Sequence, residues 1–83
     1  MYTYLIKSLK NGSYYTGITK NTRKRLECHN KGVLLTTKTK RPWRLVYWKI
    51  HPNSITARKH EKWLKKKNRI YKSNLEKKFG GVK

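Results

Sequence analysis

Five side chains of this sequence have the types and spacing from which phosphate chemistry could be built: Tyr4, Tyr15, Arg25, His29 and Glu61. A phenol with a reference pKa of about 10 is ionised in only about one molecule in a thousand at pH 7. Tyr4 or Tyr15 could act as a base only with help from a neighbouring Lys or Arg, or from a metal ion. The simpler role for a tyrosine is core packing with its hydroxyl bonded at the rim, and that role is expected of Tyr2, Tyr14 and Tyr47. Arg25 offers a planar, permanently charged guanidinium that can grip a phosphate in two places and offset the charge that grows as a P–O bond breaks. By composition alone it could equally be a solvated helix cation like Arg23 and Lys24. Arg25 and His29 are four residues apart, so they share a helix face. His29 is therefore the histidine expected near such a site, able to hydrogen-bond a phosphate. Glu61 has Ala57 four residues before it and Leu64 three after, which puts a carboxylate beside an apolar stripe. It would either pair with one of the many cations or hold a hard divalent ion, which takes oxygen donors and keeps several waters.

The elements that must position these groups follow in chain order. Tyr2 to Ile6 is aromatic and β-branched and reads as a strand. Asn11-Gly12 signals a tight hairpin turn, and Ser13 to Ile18 is the return strand. The two strands should pair antiparallel and could bring Tyr4 and Tyr15 onto one face. Gly17 suggests a bulge or the close approach of another backbone or of a ligand. Asn21 or Thr22 can cap a helix running from Arg23 to about Lys31, with Gly32 as its stop. Thr36 to Arg41 reads as a basic loop. Trp43 to Ile50 is expected to be a third strand, buried at the centre of the sheet. Asn53 or Ser54 can cap a second helix over Ile55 to Lys66. A third helix is expected over about Arg69 to Lys78, its apolar side made of Ile70, Tyr71, Leu75 and Phe79. The whole reads as one domain over 1–79, with 80–83 a frayed tail.

Charge narrows the function classes. The 83 residues hold 23 Lys and Arg against three acids, Glu27, Glu61 and Glu76, for a formal charge of +20. Such an excess favours a polyanionic partner, and nucleic acid fits best. Lys38, Lys40 and Arg41 in the loop, and Lys65, Lys66 and Lys67 at the end of the second helix, are candidates for tracking a phosphate backbone. No apolar run has the length of a membrane span and no signal peptide follows Met1, so the expected location is cytoplasmic, with the nucleoid as its place. Cys28 is the only cysteine, which excludes an intramolecular disulfide. The three histidines lack zinc-finger spacing. A two-metal site needs several converging carboxylates, and with three acids in all the sequence provides for one ion at most.

The motifs Tyr2-Thr3-Tyr4 and Tyr15-Thr16-Gly17, followed by Arg25, His29 and Glu61, resemble the GIY-YIG nuclease superfamily, in particular its small single-domain bacterial members. Asn11 to Thr19, Arg25 to Asn30, Arg41 to Tyr47 and Ala57 to Glu61 follow the same pattern, so the resemblance spans essentially the whole chain. The Gly and Ile of the first motif are replaced here by Tyr2 and Thr3, and the Ile of the second by Thr16, while the tyrosines stay in place. The resemblance implies an α+β fold, a three-stranded antiparallel sheet flanked by about three helices. It implies hydrolysis of phosphodiesters with one Mg²⁺ or Mn²⁺ ion held by Glu61, Arg25 on the scissile phosphate, and Tyr4, ahead of Tyr15, as the base. A late asparagine found in some relatives could correspond to Asn68 or Asn74. Relatives with separate DNA-binding domains have no counterpart here, so substrate choice would rest on the chain's own basic surface or a partner.

The expectation is a Mg²⁺-dependent endonuclease acting on DNA, branched or damaged, guided by structure or weakly by sequence, in repair or recombination. A homodimer or a larger repair complex is the assembly in which both strands would be cut. Two other classes stay open: a non-catalytic nucleic-acid-binding module on the same fold, and a metal-independent ribonuclease using His29, which would need a 2′-hydroxyl.

Overall fold

The computed structural model describes residues 1–80. The elements are β1 (Tyr2–Ser8), β2 (Tyr14–Thr19), α1 (Thr22–Lys31), α2 (Leu35–Lys38), β3 (Trp43–Ile50), α3 (Ser54–Lys65) and α4 (Arg69–Gly80). The strands form one antiparallel sheet in the order β2-β1-β3. The fold is α+β, as expected, with four helices among the described residues rather than three. Gly80 closes α4, and the rest of the tail expected to fray lies outside the described residues.

The central strand is β1, which corrects the expectation that the strand from Trp43 to Ile50 is central. The apolar run of β3 is misleading because Trp48 and Ile50 are exposed at its far end. The centrality of β1 is masked by two hydroxyl residues whose polarity is satisfied internally. Buried Thr3 donates to the Ala57 carbonyl at 2.8 Å, and buried Ser8 donates to the Lys40 carbonyl at 2.6 Å.

Alternation along β1 divides the core in two. Tyr4 and Ile6 pack with Trp43, Tyr15, Leu26 and Leu45 on the face covered by α1. Leu5 packs with Val46, Leu64, Tyr14, Tyr47, Tyr71 and Leu75 on the face covered by α3 and α4. Full burial of a side chain such as Leu5, Ile6 or Leu64 stabilises the fold by about 1.5–3 kcal/mol. Ile70, expected on the apolar side of α4, is instead exposed, while Phe79 meets Tyr47 and Trp48 edge to face. Glu76 of α4 binds Tyr14 Oη at 2.8 Å, Arg44 at 2.8 Å and Lys7 at 3.4 Å, so one carboxylate joins α4 to all three strands.

The connections are also built from local chemistry. The turn between β1 and β2 is longer than the tight turn expected, spanning residues 9–13. Ser8 Oγ accepts from the Lys10 and Asn11 amides, and Gly12 supplies a left-handed φ of 76°. Asn21 caps α1 through the Lys24 amide, and Gly32 ends it with φ 79°. Asn53 caps α3 through the Thr56 amide. The segment expected to be a basic loop contains α2, a single helical turn.

Candidate active site

Register places the two tyrosines. Tyr4 pairs with Gly17 and Ile6 with Tyr15, so Tyr4 and Tyr15 share a face as diagonal neighbours, their ring centroids 6.5 Å apart. Gly17 allows this arrangement. A Cβ at that position would lie 2.5 Å from the Tyr4 hydroxyl oxygen and 2.7 Å from Cζ, so the phenol lies directly over the glycine. What approaches Gly17 closely is a side chain, Tyr4, rather than the backbone or ligand expected.

His29, on the buried side of α1, is fully enclosed. Its Nε2 is 2.9 Å from Tyr4 Oη, and its Nδ1 is 2.8 Å from Thr37 Oγ1. With the Thr37 hydroxyl donating to the Leu34 carbonyl at 3.5 Å, Nδ1–H donates to Thr37 and Nε2 accepts from Tyr4. The His29 ring also meets Tyr15 at 5.0 Å and Trp43 at 6.3 Å between centroids. Burial, aided by the Arg25 charge, pushes the His29 pKa down to about 4. Burial pushes the Tyr4 pKa up to about 12, with Arg25 opposing and the Tyr15 and Glu61 charges adding to the rise. At neutral pH the pair is therefore a neutral phenol on a neutral imidazole.

Arg25 lies one helical turn before His29, beside Tyr4 and Tyr15. The adjacent Tyr4 hydroxyl is the main cause of its raised pKa. Its Nε is buried without a hydrogen-bond partner. A guanidinium nitrogen in that state is a donor to which the protein itself supplies no acceptor.

Glu61 comes from the other side of the sheet. α3 packs along β1 and β2, with Ala57 and Leu64 buried and the Glu61 side chain 15% exposed. Its charge reaches Tyr4. Its ion-pair partner is Lys65 Nζ at 3.6 Å, one turn along the helix. Among the described residues no cluster of three or more His, Cys, Asp or Glu could hold a metal. One mostly buried carboxylate still fits a hard cation of the Mg²⁺ type, which takes one or two carboxylates and completes its shell with water and substrate phosphate.

The structure thus brings Tyr4, Tyr15, Arg25 and His29 into one cluster, with Glu61 within electrostatic reach. Of the basic candidates, only Lys65 is shown to touch a residue of this group, Glu61. Lys38 and Arg41 line a hollow of about 510 Å³ with Lys10, Asn30, Thr39 and Pro42. Lys40 follows α2, its carbonyl bonded to Ser8. At the end of α3, Lys65 pairs with Glu61, Lys66 is the C-cap, and Lys67 lies over the Trp63 and Tyr71 rings. Asn68 is occupied in capping α4 through the Tyr71 amide at 2.9 Å, while Asn74 lines a hollow of about 420 Å³ with Lys66 and Lys67.

Two positioning residues escaped the sequence reading. Thr37 orients the His29 ring, and Asn30 clamps the start of β3 by bonding both the amide and the carbonyl of Trp43, at 2.6 and 3.0 Å. The available signal for Thr37 was the demand of a buried imidazole for a partner on each nitrogen.

A family model described as the GIY-YIG catalytic domain matches residues 1–75. A UPF0213 protein of Clostridium perfringens is 37% identical over 75 residues, covering 89% of this chain and 80% of the relative. One from Staphylococcus saprophyticus is 39% identical over 75 residues, covering 89% and 90%, and one from Bacillus cereus is 34% identical over 70 residues, covering 83% and 73%. No solved structure gives a significant match.

Proposed function

This chain belongs to the GIY-YIG nuclease family, and we propose that it is an endonuclease that hydrolyses DNA phosphodiesters with one divalent cation held by Glu61. The observation that carries the reading is the buried, unpartnered Nε of Arg25 beside the hydrogen-bonded Tyr4 and His29. Arg25 binds the scissile phosphate and stabilises the charge gained by its oxygens in the transition state. Tyr4 accepts the proton of the attacking water as its own proton passes to His29 Nε2 along the 2.9 Å hydrogen bond. Thr37 holds the imidazole in the tautomer that can receive it. Tyr15 and Trp43 wall the imidazole from water. Glu61 would hold a Mg²⁺ or Mn²⁺ ion, which would supply further positive charge to the phosphate.

The Lys65–Glu61 contact favours a second reading, in which Glu61 is only an ion-pair partner and the fold is a basic binding module. Cleavage of labelled duplex and branched DNA separates the two, with RNA and EDTA controls and with wild type beside Glu61→Gln, both checked for folding by circular dichroism. Metal-dependent cutting by wild type alone supports the nuclease. Binding without cutting by both proteins supports the module, and EDTA-resistant cleavage of RNA alone supports a ribonuclease. Arg25→Ala is expected to abolish cleavage and retain most DNA affinity.

A further inference from the structure

The sheet face that carries Tyr4 continues beyond α1 to a pair of rings with no part in the proposed reaction. Tyr2 lies two residues before Tyr4, on the same face and roughly 7 Å along the strand. Trp48 is the cross-strand partner of Tyr4 on β3. Tyr2 and Trp48 meet edge to face, with centroids 5.4 Å apart. Such a pair leaves the flat faces of one ring free of the other. Phe79 supports Trp48 from the β3 edge, yet Trp48 remains 40% exposed. With Lys20, Asn21 and Thr22, the two rings line a hollow of about 290 Å³. Lys20 is exposed and forms no ion pair among the described residues.

A large aromatic surface left in water on a protein of charge +20 calls for a ligand that is both anionic and flat. A nucleotide is such a ligand, because every base offers a π-face for stacking and brings a phosphate with it. A base within a duplex has both faces covered by its neighbours, so only an unpaired one can use the platform. We infer that Tyr2 and Trp48 form a stacking platform for an unpaired nucleotide of the DNA strand being cut, with Lys20 on its phosphate. This deepens the nuclease reading and rests on it. It commits the substrate to DNA with a single-stranded or displaced nucleotide next to the scissile bond.

The test measures affinity by fluorescence anisotropy at fixed salt, for a single-stranded DNA oligonucleotide and for a perfect duplex of the same sequence. The proteins are wild type, Trp48→Ala, Trp48→Phe and Tyr2→Ala, with circular dichroism as the folding control. Trp48→Ala is expected to weaken single-strand binding roughly tenfold or more and to leave duplex binding within about twofold. Trp48→Phe keeps a ring and restores most of the loss, which a merely unfolded variant could not reproduce. Tyr2→Ala moves in the same direction as Trp48→Ala. Equal losses on both DNAs, or no loss on either, overturn the platform. Cleavage of a flapped duplex by wild type, run in parallel, distinguishes the two failures. If the nuclease reading fails, wild type cuts nothing yet the Trp48 effect on single strands persists. If the platform fails, cutting persists and the Trp48 effect is absent.

Discussion

The hydroxyl of Tyr4 lies 2.9 Å from Nε2 of His29, a residue 25 positions away that is fully buried behind it. A tyrosine that donates to an imidazole whose other nitrogen is fixed has a defined path for its proton. Tyr4→Phe removes that path and leaves Nε2 unpartnered. The variant is expected to lose about 10²–10⁴-fold in kcat on DNA. It should also lose about 1–3 kcal/mol of stability. Single-turnover cleavage and urea unfolding measure the two losses separately, and a kcat within error of wild type would remove Tyr4 from the chemistry.

His29 also makes the fold sensitive to acid. Its pKa is about 4 when folded against an ordinary value of 6.5, so between these values the unfolded chain binds a proton that the folded chain does not. Stability therefore rises with pH through that window and is lost as pH falls from 6.5 towards 4. The difference corresponds to a loss on the order of 3 kcal/mol. Urea unfolding at a series of pH values should show this slope in wild type and a much flatter one in His29→Gln, whose own stability at neutral pH is expected to be lower.

Gly17→Ala tests whether the Tyr4 position depends on the bare backbone opposite it. The added Cβ would lie 2.5 Å from the phenol oxygen, so the ring must move away from His29. Overpacking of this kind costs about 1–3 kcal/mol. Cleavage should fall further than that stability loss accounts for, since the displaced hydroxyl no longer faces Nε2. A variant that cuts normally would show that the hydroxyl can act from another position.

Glu76→Gln separates fold from function. The Glu76 carboxylate joins α4 to Tyr14, Lys7 and Arg44 and has no contact with the Tyr4 cluster. Burial acts to raise its pKa, but Tyr14, Lys7 and Arg44 outweigh burial and hold it below the usual carboxylate range. Its contribution is therefore present above the ordinary carboxylate pKa and is lost as pH falls through the lowered folded value. The substitution should cost about 1–3 kcal/mol in urea unfolding at pH 7. It should leave kcat at a permissive temperature unchanged, and a large fall in kcat would mean that α4 has a part in the site.

Much of this molecule is legible in the chain because short-range rules govern it. Asn21, Gly32 and Asn53 mark helix ends through bonds to amides and carbonyls a few residues away. The hairpin signal lets Tyr4 and Tyr15 share a face, which the register of β1 on β2 then fixes, and the four-residue spacing puts Arg25 and His29 on one side of α1. The +20 charge is composition, and it already points to nucleic acid. Long-range contacts decided the rest. β1 is central because it pairs with β2 on one edge and β3 on the other, and its buried Thr3 and Ser8 are satisfied by carbonyls more than 30 residues away, which no local pattern encodes. Thr37 becomes the partner of His29 only because α2 folds back against α1. Glu61 comes within electrostatic reach of Tyr4 only because α3 packs along β1 and β2. The pKa values of Tyr4 and His29 follow from burial, which exists only once the helices close over the sheet. Sequence spacing sets which residues share a face, while tertiary packing sets which faces meet, because contacts between distant residues depend on the geometry of the whole fold.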